Sequence, residues 1–147
     1  MRKMKIGIDN YAYHRFMGEV YPEQSAPSKT MTMKDYLDRA NELGVDGVSL
    51  ESCFFPEFGK DYLAELKGKL DEYNLDRVFA WGHPDGLEGG KNKQAFDEMM
   101  EMMDYAVAIG AKVMRVVGSS LGFRFENHQE QIDRLTGMFI EAMKEAD

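Results

Sequence analysis

Residues 45–52, VDGVSLES, decide the fold. Val48 and Leu50 alternate with Gly47, Ser49 and Glu51, so a strand here turns apolar side chains to one face and small, polar or ionisable ones to the other. A sheet covered on both faces reads apolar along its whole length. The same split recurs elsewhere. Ile6 and Ile8 stand against Gly7 and Asp9, Val78 and Ala80 against Phe79, Trp81 and His83, and Met114 and Val116 against Val113, Arg115 and Val117. One face suits a cover of helices. The other suits the interior of a barrel beneath a site.

Working outward, strand-like runs at 5–13, 45–52, 76–84 and 111–120 alternate with helical patterns at 33–44, 60–74, 93–110 and 128–147. Thr32 and Asp35 have the spacing of a capping box, and Leu63, Leu66 and Leu70 share one helical face. Gly44 and Gly110 are good helix stops. Four βα units imply a parallel α/β sheet with right-handed crossovers. No Pro/Gly-rich linker divides them, so residues 1–147 read as a single domain. Whole eightfold barrels typically run to about 250 residues. The expected architecture is therefore half of a (β/α)8 TIM barrel, and the competing one is an open, flavodoxin-like binding domain with an anion site at a strand switch point.

The balance of 26 acidic against 18 basic residues, net −8, repels phosphate backbones and argues against nucleic acid as a partner. No apolar run is long enough for a membrane span. Cys53 is the only cysteine, which excludes an intrachain disulfide or a Cys-rich zinc site and fits a reducing, cytoplasmic setting. Many of the 12 methionines fall in DEMMEMMDY, residues 97–105, as core filler.

The blocks KIGIDNYAYHR, ELGVDGVSLESCFFP, AWGHPDGLEGGKN and AKVMRVVGSS resemble the opening half of the xylose-isomerase-like TIM barrels, the sugar phosphate isomerase/epimerase superfamily. The resemblance spans essentially the whole chain. It implies isomerisation or epimerisation of a sugar or sugar phosphate at the C-terminal mouth of a barrel, where a divalent metal (Mn, Mg, Co or Zn) polarises oxygens and a carboxylate moves a proton. In sugar-epimerase relatives the metal ligands lie on strands five to eight. The expectation is one wall of a sugar site with no metal ligands and no cofactor of its own. An inactive half-barrel that forms a homodimer, or pairs with a separate C-terminal half, is the alternative.

Within that wall, Glu51 and His83 end strands two and three and are the candidate catalytic residues. Glu51 would serve as an acid/base or orienting carboxylate, or else form an internal ion pair with Arg115. His83 would contact a sugar hydroxyl, bind a metal as the resemblance to endonuclease-like relatives implies, or anchor its loop. Asp9, Asn10, Trp81, Arg115 and Ser119 are candidate substrate-binding residues. Against this, Asp9 and Asn10 also suit loop capping, and Trp81 suits barrel filling as well as sugar stacking. Gly118 to Ser120 form a weak anion candidate. The Gly86, Gly89, Gly90 and Lys91 turn reads as a flexible loop or a phosphate cradle, but it is no P-loop. His14 reads as solvated and His128 as surface.

Overall fold

The computed structural model describes residues 4–119 and 125–146. Its elements run β1 (Gly7–Asp9), a 3-10 turn (Asn10–Tyr13), α1 (Met33–Leu43), β2 (Gly47–Glu51), a second 3-10 turn (Ser52–Phe54), α2 (Lys60–Glu72), β3 (Asp76–Ala80), α3 (Lys93–Ala108), β4 (Val113–Arg115) and α4 (His128–Ala146). The four strands form one parallel sheet in the order β1-β2-β3-β4. Sequential order with right-handed crossovers sends every helix to the same side. A flavodoxin-like sheet instead places its first strand between the second and third. The topology is that of a TIM-barrel half, and it sets the flavodoxin-like alternative aside.

Local chemistry sets the element ends. The Thr32 side chain accepts from the Asp35 N–H at 3.2 Å, and the Asp35 carboxylate accepts from the Thr32 N–H at 2.8 Å, completing the capping box of α1. Gly44 closes α1 with a left-handed φ of 67°. β1 is shorter than its apolar pattern suggests, because Asp9 accepts from the Tyr11 N–H at 2.7 Å and turns the chain into the 3-10 segment.

The helix side of the sheet carries the core. Tyr36, Leu37, Leu63, Leu66 and Leu70 pack onto Leu50 and Phe79, while Leu87, Ala95, Phe96 and Met99 pack onto Trp81. Paired residues of a parallel ladder share a face, and the register aligns Leu50, Phe79 and Met114. Phe79 and Trp81 therefore point to the helices, contrary to the expectation for strand three. The reason is volume: both rings are almost fully buried beneath helices, whereas Val78 and Ala80 leave the opposite face low. That face presents Asp9, Ser49, Val78 and Val113 in one layer, and Glu51, Ala80 and Arg115 in the next toward the strand C-termini.

The opposite face forms a concave groove of about 760 Å³, lined in part by Lys5, Asp9, Ser49, Asp76, Val78 and Val113. Val113 is 57% exposed there. No helix among the described residues is long and apolar enough to cross a membrane.

Candidate functional site

Among the described residues, three of the four buried polar ones, Asn10, Glu51 and Ser52, meet at the C-terminal end of β2. Asn10 is wholly buried; its side-chain oxygen accepts from the Glu51 N–H at 2.9 Å, and its amide nitrogen reaches the Met33 sulfur at 3.7 Å. The Ser52 hydroxyl accepts from the Gly82 N–H at 3.1 Å and ties β2 to the end of β3. These bonds fix the backbone on which the Glu51 carboxylate stands.

Glu51 Oε1 accepts from the Arg115 guanidinium, so the internal ion pair considered from the sequence is present. The pair is asymmetric: the Glu51 side chain is 6% exposed and that of Arg115 46%. Burial raises the Glu51 pKa above the ordinary carboxylate range, and Arg115 offsets only part of that rise. Asp9 and Glu19 push it in the same direction as burial. A buried carboxylate that accepts beside a half-open guanidinium that donates is a pair suited to hydroxyl and carbonyl oxygens.

The other candidates fall differently. Asp9 lines the groove while capping the 3-10 turn. Asn10 is committed to the packing just described. His83 stacks on Trp81, with centroids 5.6 Å apart and planes at 20°. Its Nδ1 accepts from the Asp85 N–H at 3.2 Å, which leaves Nε2 carrying the proton when the ring is neutral. Neither a hydrogen bond nor an ion pair joins His83 to Glu51 or Arg115. Trp81 thus props a histidine from the helix side and does not floor the groove. Ser119 is half-buried beyond β4, and Ser120 lies outside the described residues.

The glycine-rich turn is a packing device. Its amides are already spent: Leu87 and Gly89 N–H donate to the Val117 and Gly118 carbonyls, and those of Gly90, Lys91 and Asn92 to the Leu87 carbonyl. Gly90 has a φ of +88°, and a Cβ there would lie 2.5 Å from the Arg134 Cβ of α4. Arg134 in turn donates to the Gly89 carbonyl at 2.9 Å.

His14 is half-buried. Its Nδ1 lies 2.7 Å from the Glu19 carbonyl, and its ring stacks against Tyr11, which corrects the solvated reading. His128 is exposed.

Sequence reasoning passed over Gly82. A Cβ built on it would lie 3.1 Å from Glu51 Oε2 and 3.9 Å from the Cys53 sulfur. The only signal was a glycine directly before His83 in a segment that needs no tight turn.

The sequence profile described as xylose isomerase-like TIM barrel matches residues 37–147, and the chain belongs to that family. Among solved structures it is similar to D-psicose 3-epimerase with D-tagatose from Clostridium cellulolyticum H10, at 16% identity and a TM-score of 0.71, covering 97% of this chain and 48% of that one. It is similar to a D-psicose 3-epimerase in the presence of D-fructose, at 12% identity and a TM-score of 0.67, covering 97% and 50%. A xylose isomerase domain protein from Planctomyces limnophilus aligns at 13% identity and a TM-score of 0.57, again over 97% and 50%. The chain spans about half the length of these structures. Comparison with curated proteins finds no match.

The family implies a divalent metal, and the donors described here do not fit one. No three His, Cys, Asp or Glu side chains gather among the described residues. Glu51, the best-placed carboxylate, already faces a guanidinium that would repel a cation.

Proposed function

We propose that this chain forms one wall of a sugar-binding site in a barrel of the isomerase/epimerase type, its ligand a sugar or sugar phosphate held at the C-terminal strand ends. The observation that carries this reading is the Glu51–Arg115 pair on the concave face, open on the Arg115 side and placed where strand ends of this fold carry chemistry. The likeness to epimerases described with D-tagatose and D-fructose supports the choice of ligand class.

In this reading Arg115 donates to a ligand oxygen, Glu51 orients a hydroxyl, and His83 offers Nε2–H at the rim. Proton transfer at carbon needs a base and an acid placed about the reacting atom. Glu51 is the one buried carboxylate among the described residues, so turnover is not assigned to this wall alone. Saturation-transfer NMR with D-fructose and D-tagatose tests the reading. Both sugars should receive saturation from the protein, and Arg115→Met should abolish it. Transfer that survives Arg115→Met would place the sugar elsewhere.

A second reading rests on the open face. Among the described residues β1 and β4 each pair on one side only, and the groove between them exposes Val113. Unpaired parallel edges and an open apolar face invite a partner. Two copies could set β4 of each beside β1 of the other and close the ring. Sedimentation equilibrium at micromolar concentration should then give a dimer, and a folded 16.8 kDa monomer would refute it.

A further inference from the structure

The two oxygens of Glu51 are not equivalent. Oε1 is committed to Arg115. Oε2 takes no hydrogen bond from the described residues, yet no buried side-chain oxygen or nitrogen among them lacks a partner. Oε2 is therefore not sealed off, and it is the oxygen that borders Gly82. Gly82 does not occupy the left-handed region, so its backbone conformation does not demand glycine. What a side chain would remove is space. Among the described residues other than its two chain neighbours, a Cβ at Gly82 would come within 4 Å of two heavy atoms, Glu51 Oε2 and the Cys53 sulfur, and would fill the approach to that oxygen.

The charges around this gap select its occupant. Glu51 and Arg115 cancel, and Asp9 and Glu19 add negative potential near the carboxylate. The Cys53 thiol, pushed up to about 11 by desolvation and then by Glu51, stays protonated and contributes no charge. A phosphate at Oε2 would meet a carboxylate and an acidic surrounding. A hydroxyl would donate to Oε2 while a neighbouring oxygen accepted from Arg115.

We infer that Gly82 is a specificity-determining residue: it keeps open a slot over Glu51 Oε2 that takes a neutral hydroxyl donor, so a ligand meets this wall through its uncharged polyhydroxy part and not through a phosphate. The inference rests on the sugar-wall reading and narrows it.

Amide-resolved NMR of the whole chain, titrated separately with D-fructose and with inorganic phosphate, tests it. D-Fructose should shift the Ser52 and Gly82 amides saturably, and phosphate should leave both in place. Gly82→Ala should weaken the D-fructose response at Ser52 at least tenfold, while Gly137→Ala, at a helical glycine with nothing near its Cβ position, should not. A D-fructose response unchanged by Gly82→Ala, or phosphate shifting these amides in the unmutated chain, would overturn the inference and leave the sugar-wall reading standing. Silence toward both probes would overturn the two together. Should Gly82→Ala fail to fold, Glu51→Gln decides. It keeps the volume and removes the opposing charge, so phosphate should begin to shift the Gly82 amide; no gain of response would refute the role given to charge.

Discussion

Replacing Arg115 with Met isolates the electrostatic centre of the site. The substitution keeps an unbranched chain of similar length and removes the cation from a carboxylate that is 6% exposed. The cost has a ceiling, because Glu51 can take up a proton. Protonating a carboxyl of ordinary pKa 4.5 at pH 7 costs about 3 kcal/mol, at about 1.4 kcal/mol per pH unit. Arg115 is 46% exposed, so solvent screens part of its present benefit and the loss falls below that ceiling, at about 1–3 kcal/mol. The sign of the pH dependence follows. With the guanidinium gone, the folded-state pKa of Glu51 rises further above its unfolded value. Folded protein then holds more protons than unfolded protein between those values, and stability is lost as pH rises through that window. The variant should lie well below the unmutated chain at pH 7 and close to it at pH 4. Urea unfolding followed by circular dichroism at the two pH values measures the gap. Glu51→Leu combined with Arg115→Met should cost less than Arg115→Met alone at pH 7. A gap equal at both pH values, or absent at pH 7, would refute the reasoning.

Thr32→Ala should cost about 1 kcal/mol by removing the cap of α1. The Asp35 carboxyl is held below its ordinary range, first by the Thr32 hydroxyl and then by the Thr32 N–H. That contribution is present above pH 4 and fades as pH falls through the lowered pKa, so the penalty should shrink by pH 3 in the same urea assay. Gly90→Ala combines a left-handed φ with a 2.5 Å approach to the Arg134 Cβ and should lower stability by about 3 kcal/mol; an unchanged urea midpoint would show that α4 yields freely.

The alternation in strands two and four was readable because each carries an ionisable residue, Glu51 or Arg115, on one parity and a large aliphatic residue on the other. Strand three is apolar on both parities, Val78, Phe79, Ala80 and Trp81, so a period of two assigns no face. There the register with β2 and the depth of the helix layer decide, and both are tertiary. Asn10 illustrates the same limit. Beside Asp9 it reads as a polar loop residue, yet it folds inward to hold the Glu51 amide across the sheet. The glycines at 86, 89 and 90 suggest flexibility or phosphate because their reason, close packing against residues 117–118 and α4, lies some 30 to 45 residues further along the chain. Capping boxes, helix stops and the Glu51–Arg115 pairing were legible since each rests on local chemistry or on two opposite charges on one face.

A crystal structure of the chain soaked with D-fructose tests the central claim most directly. The account predicts sugar density at the C-terminal strand ends, with one oxygen on the Arg115 guanidinium and a hydroxyl on Glu51 Oε2 above Gly82. Density in the groove at the opposite end of the strands, among Lys5, Asp46, Asp76 and Lys112, with none at the Glu51–Arg115 pair, would contradict it.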